Sequence, residues 1–250
     1  MAELRRRTPA SIALFTAGAL EQGRNGWTHE RPEVEAYFAA MMRNGNVFPL
    51  FPVDANMVQV AYEWALSQVN VGIPIFASKS PLPIRSTIAQ AGRAVEAGAF
   101  VVDGADGRAD VVFAVVGDMA LLPATAAAAV LRGSGPTVRV VSVVNPARLF
   151  RPCDTLASMA PIVQTRFMTD EEFDALFGAK TLIAVSGGAS GMLEPVLLRS
   201  RAAERHVACW KRGDTVANPQ MLFELNGIDS DSLVAIATRS RAEKQGGGTR

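Results

Sequence analysis

The chain has 250 residues, of which 49% are hydrophobic, and its charge is nearly balanced, with 25 Lys and Arg against 24 Asp and Glu. This composition is that of a globular protein long enough for two modest cores, and it gives no electrostatic reason to expect nucleic acid or an anionic membrane as a partner. Two cysteines without a CxxC spacing and two distant histidines favour neither a disulfide framework nor a metal site.

The N-terminal segment superficially resembles a secretion signal, because three arginines (residues 5–7) precede the apolar stretch 11–20. That stretch is short, contains Gly18 and turns polar at Glu21. No run in the sequence approaches the ~20 apolar residues that a membrane span requires. We therefore expect a cytoplasmic protein without a membrane segment.

The first part of the chain alternates helical and strand-like patterns. Helices are predicted over 34–43, 57–68 and 84–97, and strands over 47–52, 71–77 and 99–102. Pro32 precedes the first helix, and Asp54 is placed to cap the second. The alternation predicts a parallel sheet with helices on its faces.

The pattern restarts after the polar, glycine-rich segment DGADGR at 103–108, which is the predicted domain boundary. Strands are predicted over 110–116, 137–144, 181–185 and 206–210, and helices up to Leu131 and over 170–178, 192–203 and 232–241. The stretch 150–167 has little periodicity and predicts a long excursion. The sequence thus predicts an α/β protein with two domains, 1–105 and 109–242, both with mostly parallel sheets flanked by helices, and a disordered tail over 243–250.

Four polar or glycine-rich clusters could carry chemistry. EQGRNGWTHE (21–30) contains an Asn-Gly turn followed by His29, and it is equally a surface loop. PVDAN (52–56) is best explained by capping through Asp54. SKSPLP (78–83) places Lys79 at the end of a predicted parallel strand, where it is either an anion contact or a solvated lysine. VSGGASG (185–191) has no P-loop spacing and favours a tight strand-to-helix turn.

Three of these clusters, in this order, resemble the thiamine diphosphate-dependent phosphoketolases, which act on xylulose 5-phosphate and fructose 6-phosphate. QGRNGWTHE, FPVDAN and ASKSPLP correspond to the family's QxHNGxxHQ, PPDAN and GKxP stretches. WKRGDTVANPQMLFELNGID is similar to its KxxGxTTTPxxM run leading into NxLD. The resemblance extends from about Pro9 to Val234. It implies a transketolase-like fold that comprises the last part of a pyrimidine-binding domain and a C-terminal domain.

The resemblance also implies site residues. Asn25 and Lys79 match positions that hold phosphate or sugar oxygens, and His29 matches a histidine near the reacting carbon. An amide and an ammonium suit phosphate, and a histidine can carry protons near neutral pH. Arg24 replaces the first histidine of QxHNG; as a permanent cation it cannot act as a base, and it is a further phosphate-binding candidate. The HGYPW segment becomes SGGAS at 186–190 and loses its aromatic side chains.

The sequence contains no GDG motif followed by NN, the pattern with which the family holds thiamine diphosphate and its magnesium ion, and Gly117-Asp118 has no such NN partner. The resemblance therefore implies the small subunit of a split thiamine diphosphate-dependent enzyme that cleaves a ketose phosphate and transfers a two-carbon unit. A second subunit would carry the pyrophosphate-binding domain and most of the cofactor contacts. The alternative is a non-catalytic binding or regulatory domain, which the loss of several family residues favours.

Overall fold

The computed structural model describes residues 7–16, 18–104, 107–151, 167–213 and 216–246. The strands are β1 (Ser11–Phe15), β2 (Gly72–Phe76), β3 (Ala99–Asp103), β4 (Ala109–Val116), β5 (Val138–Val143), β6 (Ala179–Ser186) and β7 (Glu204–Ala208). The helices are α1 (Pro32–Met42), α2 (Ala55–Ser67), α3 (Ile88–Ala97), α4 (Leu121–Gly133), α5 (Asp170–Phe177), α6 (Glu194–Arg199), α7 (Pro219–Asn226) and α8 (Ser230–Gly246).

The first sheet consists of β1 and β2, which are parallel. The segment 47–52, predicted as a strand, contributes only two isolated parallel bridges to β2, through Val47 and Leu50, so that prediction is wrong. The amides of Phe48 and Leu50 donate to the carbonyl oxygens of Gly72 and Pro74 at 2.9 and 2.8 Å, so the segment runs beside β2 without forming a regular strand. The amide of Phe51 instead donates to the carbonyl oxygen of Val144 at 2.8 Å, which ties this segment to the second sheet.

The second sheet has the strand order β3-β5-β4-β6-β7, and its last four strands are parallel. The prediction that 99–102 extends a first parallel sheet is wrong, because β3 pairs antiparallel with β5. Gly98, which ends α3 with a φ of 99°, reverses the chain directly from helix to strand. The five-stranded sheet therefore begins on the N-terminal side of the predicted boundary at 103–108.

The central strands are buried on both faces, as their continuous apolar sequences predict for a parallel sheet covered by helices. Every residue of β5 is buried, including Arg139, whose guanidinium donates to backbone oxygens of Ala175, Leu176 and Gly107. On one face of the sheet the alanine-rich α4 packs against α8. The α/β class predicted from the sequence is confirmed.

Two predicted helix caps are present. Asp54 caps α2, because its Oδ1 accepts the amide of Met57 at 2.8 Å, and its Oδ2 also accepts the amides of Arg85 and Ser86 at 2.7 Å each. Asp54 is therefore a structural residue that fixes the start of α2 and the segment before α3. Thr169 forms the capping box of α5.

Arg199 at the end of α6 joins two segments that flank residues 152–166. Its side chain is buried and donates to the carbonyl oxygens of Leu149 and Met168 at 2.9 Å each, and to that of Thr169 at 2.8 Å. It also pairs with the carboxylate of Asp170 at 2.7 Å. A single guanidinium thus supplies the carbonyls of Leu149 and Met168, which have no other donor among the described residues, and adds a donor to Thr169, whose carbonyl also accepts the amide of Phe173.

The C-terminal elements differ in length from the prediction. The helix predicted over 192–203 is a 3₁₀ turn followed by the short α6, and α8 continues to Gly246, into the predicted tail. Most of the predicted excursion 150–167, and residues 247–250, lie outside the described residues. In the described ranges, no helix is both long and apolar enough to cross a membrane.

Candidate functional site

A cleft with a cavity volume of about 40 Å³ lies where β2, β4 and β6 end. The residues that follow these strands line it (77–78, 117–118 and 187–188), and the turn 18–21 and Glu35 of α1 complete it. Open parallel sheets bind ligands at the carboxyl ends of their strands, because the loops from several strands meet there. The cleft therefore brings together segments that are far apart in the sequence.

Two carboxylates at this cleft anchor the loop that carries Lys79. Glu21 accepts the hydroxyl of Ser78 at 2.6 Å, the amide of Ser80 at 3.1 Å and the hydroxyl of Ser80. Asp118 accepts the amide of Ser78 at 2.7 Å. The residues on both sides of Lys79 are therefore held in place, whereas the Lys79 side chain is exposed and has no polar partner among the described residues.

Glu35 is the most deeply buried carboxyl group of the cleft, with 7% of its surface exposed. A Cβ atom on Gly188 would overlap the Glu35 carboxylate, so this close approach requires glycine. Burial, and then the negative charge of Asp118, raise the pKa of Glu35 to about 8. Glu35 is therefore mostly protonated at neutral pH.

Asp118 is the second carboxyl group of the cleft that titrates near neutral pH. Desolvation raises the pKa of Asp118 to about 6, although the amides of Ser78 and Met119 stabilise its charged form by hydrogen bonding. The charge of Glu21 also raises the pKa of Asp118. The three carboxyl groups therefore form one electrostatic cluster.

The four site residues implied by the sequence lie on two neighbouring loops and are exposed. Arg24, Asn25 and His29 belong to consecutive 3₁₀ turns, and Lys79 belongs to the loop after β2. The Asn25 amide donates to the side chain of Gln22 at 2.7 Å, and His29 Nδ1 lies 3.1 Å from the hydroxyl of the preceding residue. The contacts in the described ranges join the two loops through Glu21, not through the four candidates themselves.

Sequence reasoning missed the carboxyl cluster. Glu35 reads as an ordinary acidic residue in the first turn of a helix, where it complements the helix dipole. The sequence pattern explains Gly188 by a tight turn, whereas the structure shows that Gly188 leaves room for the carboxylate of Glu35. The position of Asp118 directly after a buried strand was the one signal that could have pointed to this edge of the sheet.

The cleft does not suit thiamine diphosphate. Its described lining contains three carboxyl groups and no lysine, arginine or histidine, so a diphosphate would be repelled. Across the described residues, no group of three or more His, Cys, Asp and Glu side chains is arranged to hold a metal ion. We therefore assign neither the cofactor nor its magnesium ion to these residues.

Known proteins are similar to this chain over most of its length. Probable phosphoketolase 2 of Lactiplantibacillus plantarum is 26% identical over 94% of the chain, and a probable phosphoketolase of Brucella suis is 30% identical over 91%. The chain spans only 29% of the length of each relative.

Solved structures show the same fold. A transketolase of Pichia stipitis superposes with a TM-score of 0.68 at 18% identity, covering 95% of this chain and 30% of its own. A split-gene transketolase, described as an inactive β4 tetramer, superposes with a TM-score of 0.62 at 18% identity, covering 92% of this chain and 65% of its own. The family model of the XFP C-terminal domain matches residues 79–248. The chain is similar in sequence to phosphoketolases and in fold to transketolases, and it belongs to the XFP C-terminal domain family.

Proposed function

We propose that this chain is the small subunit of a two-chain, thiamine diphosphate-dependent enzyme of the phosphoketolase and transketolase type. The assembled cytoplasmic enzyme cleaves a ketose phosphate and transfers a two-carbon unit. A partner chain supplies the pyrophosphate-binding domain, which holds the cofactor and its magnesium ion. The similarity in fold to a split-gene transketolase supports this division between two chains.

The observation that carries the proposal is the anchored loop of Lys79. Glu21 and Asp118 fix the backbone on both sides of Lys79, and its ammonium group stays exposed. An exposed ammonium on a held backbone, with no polar partner among the described residues, suits the phosphate of a sugar phosphate. Arg24 and Asn25 on the adjoining turns add further donors for the phosphate or sugar oxygens, and His29 supplies a group for proton transfer.

The free edge of β1 is the surface that we assign to the partner. Among the described residues, β1 pairs only with β2. The amide of Ser11 donates to the carbonyl oxygen of Val71 at 2.9 Å, and the carbonyl oxygen of Phe15 accepts the amide of Ala77 at 3.0 Å, so both groups face β2. Because hydrogen bonding alternates along a strand, the amides of Ile12 and Leu14 point to the free edge. Leu14 is also 44% exposed, and such an edge is a template for pairing with another strand.

The proposal is tested by replacing Lys79 in the complex of this chain with its partner. Lys79→Ala should lower kcat/KM for a ketose phosphate about ten- to hundred-fold, the range expected when a charged hydrogen bond to phosphate is lost. Lys180→Ala is the matched control, because Lys180 is exposed, pairs with Asp110 and lies at the opposite end of the sheet. Equal turnover by both variants would refute the role of Lys79. Failure of the complex to turn over any ketose phosphate would favour the alternative, a binding or regulatory domain.

A further inference from the structure

The cleft at the ends of β2, β4 and β6 has an acidic lining that the proposed function does not use. Glu21, Glu35 and Asp118 line it, and none of its other described lining residues carries a charge. The charge of Asp118 raises the pKa of Glu35, and that of Glu21 raises the pKa of Asp118. Ionised carboxylates therefore repel one another in this cleft, and a cation bound among them would relieve that repulsion.

Two carboxylate oxygens of the cleft have no hydrogen-bond partner among the described residues, Oε2 of Glu21 and Oε2 of Glu35. Glu35 enters the cleft from α1 with more than nine-tenths of its surface buried. Buried polar atoms almost always have a partner in native proteins. The two oxygens can therefore accept from a donor that lies beyond the described residues.

Part of the cleft lining is apolar. Phe51 and Phe76 stack with their ring centroids 5.0 Å apart, and both line the cleft together with Leu20 and Met119. We propose that this cleft binds a primary alkylammonium group, with the carbon chain against the two rings and the ammonium among the carboxylates. The group belongs either to a small free amine or to a lysine of a partner chain, two sources of the same chemistry.

An ammonium group fits these acceptors in number and in charge. It has three N–H donors and no acceptor, so it can satisfy the free oxygens of Glu21 and Glu35 at once. Because Glu35 is mostly protonated near neutral pH, the entering cation displaces its proton to solvent. The charge of the cleft therefore changes little, and binding is coupled to proton release.

The test is calorimetric titration of the full chain with n-propylammonium chloride at pH 7, in two buffers that differ in ionisation enthalpy. We expect saturable binding and release of close to one proton per bound amine. Glu35→Gln should weaken binding at least ten-fold and abolish the proton release. Glu33→Gln is the matched control, because Glu33 lies on the same helix with an exposed side chain and should bind as the unmodified chain does.

A second variant protects the test against misfolding of the first. Gly188→Ala leaves all carboxylates in the sequence but places a methyl group where the Glu35 carboxylate lies, so it should also weaken binding at least ten-fold. Thermal unfolding of each variant establishes that it is folded. Tetramethylammonium, which has no N–H donor, should bind more weakly than n-propylammonium.

The two sources of the ammonium are distinguished with the partner complex. Loss of n-propylammonium binding in the complex would assign the site to a partner lysine, whereas its persistence would assign the site to a free amine. No saturable binding to the full chain at pH 7 or pH 8 would overturn the proposal. Unchanged affinity in both Glu35→Gln and Gly188→Ala would also overturn it. These readouts do not involve turnover, so the proposal can fail independently of the proposed enzyme function.

Discussion

The buried carboxyl group of Glu35 makes the stability of the fold depend on pH. Its pKa is raised from the ordinary 4.5 to about 8, first by burial and then by the charge of Asp118. Between these values the folded chain keeps a proton on Glu35 that the unfolded chain releases. The free energy of unfolding therefore falls as the pH rises from 4.5 to about 8.

The size of the effect follows from the shift. Each pH unit within this window lowers the free energy of unfolding by about 1.4 kcal/mol through this one group. From pH 4.5 to about 8, the titration of Glu35 therefore lowers the free energy of unfolding by about 3–5 kcal/mol in total. Glu35→Gln keeps the shape of the side chain and cannot ionise, so it removes this loss. We expect the variant to be more stable than the unmodified chain at pH 8, by several kcal/mol, and to lose most of that advantage at pH 5.

The assay is urea unfolding of the unmodified chain, Glu35→Gln and Glu33→Gln at pH 5, 6, 7 and 8. At each pH, the difference in the free energy of unfolding between a variant and the unmodified chain isolates the contribution of Glu35 from those of the other titrating groups. Glu33→Gln should follow the unmodified chain, because Glu33 is exposed. Parallel pH profiles for all three chains would refute the reasoning, since Glu35 would then titrate as an exposed residue does.

Three further outcomes follow from the described contacts. Arg199→Met should lower the free energy of unfolding by about 3 kcal/mol, because the carbonyls of Leu149 and Met168 lose their donor and Asp170 loses an ion pair; an unchanged urea midpoint would contradict this. Asp54→Ala should cost about 2–4 kcal/mol by the same measurement, since both the cap of α2 and the contacts to the segment before α3 are lost, and Asp54→Asn should cost less. Leu14→Pro removes an amide from the free edge of β1, so it should weaken partner binding at least ten-fold in titrations while leaving far-ultraviolet circular dichroism unchanged; undiminished binding would exclude that edge as the interface.

Local sequence patterns predicted the central strands and most of the helices, but not β1 or α7. The cap at Asp54 and the capping box at Thr169 follow from residue types whose side chains bond the backbone next to them. The strand predicted over 47–52 is wrong, because Phe48 and Leu50 donate to β2 but the amide of Phe51 turns to Val144 of the second sheet. Local sequence also did not predict that β3 pairs antiparallel with β5, because strand pairing depends on where the turn at Gly98 directs the chain.

The candidate site was predicted only in part. Motif order identified the loops of Asn25, His29 and Lys79, because functional residues collect on the loops at the strand ends. The carboxyl cluster arises only when α1 packs against the glycine turn after β6, which brings Glu35 onto Gly188. No periodicity in the sequence marks that contact, since Glu35 fits the exposed, acidic start of a helix equally well.

The central claim is that this chain completes an enzyme together with a second chain. The most direct measurement is purification of the chain from its native cells, followed by mass spectrometry of any stoichiometric partner and an assay of the purified complex with ketose phosphates. We expect a partner that carries the GDG and NN motifs, together with two-carbon transfer that neither chain performs alone. Recovery of the chain only as a self-associated species, or of a complex without ketose phosphate turnover, would contradict the claim.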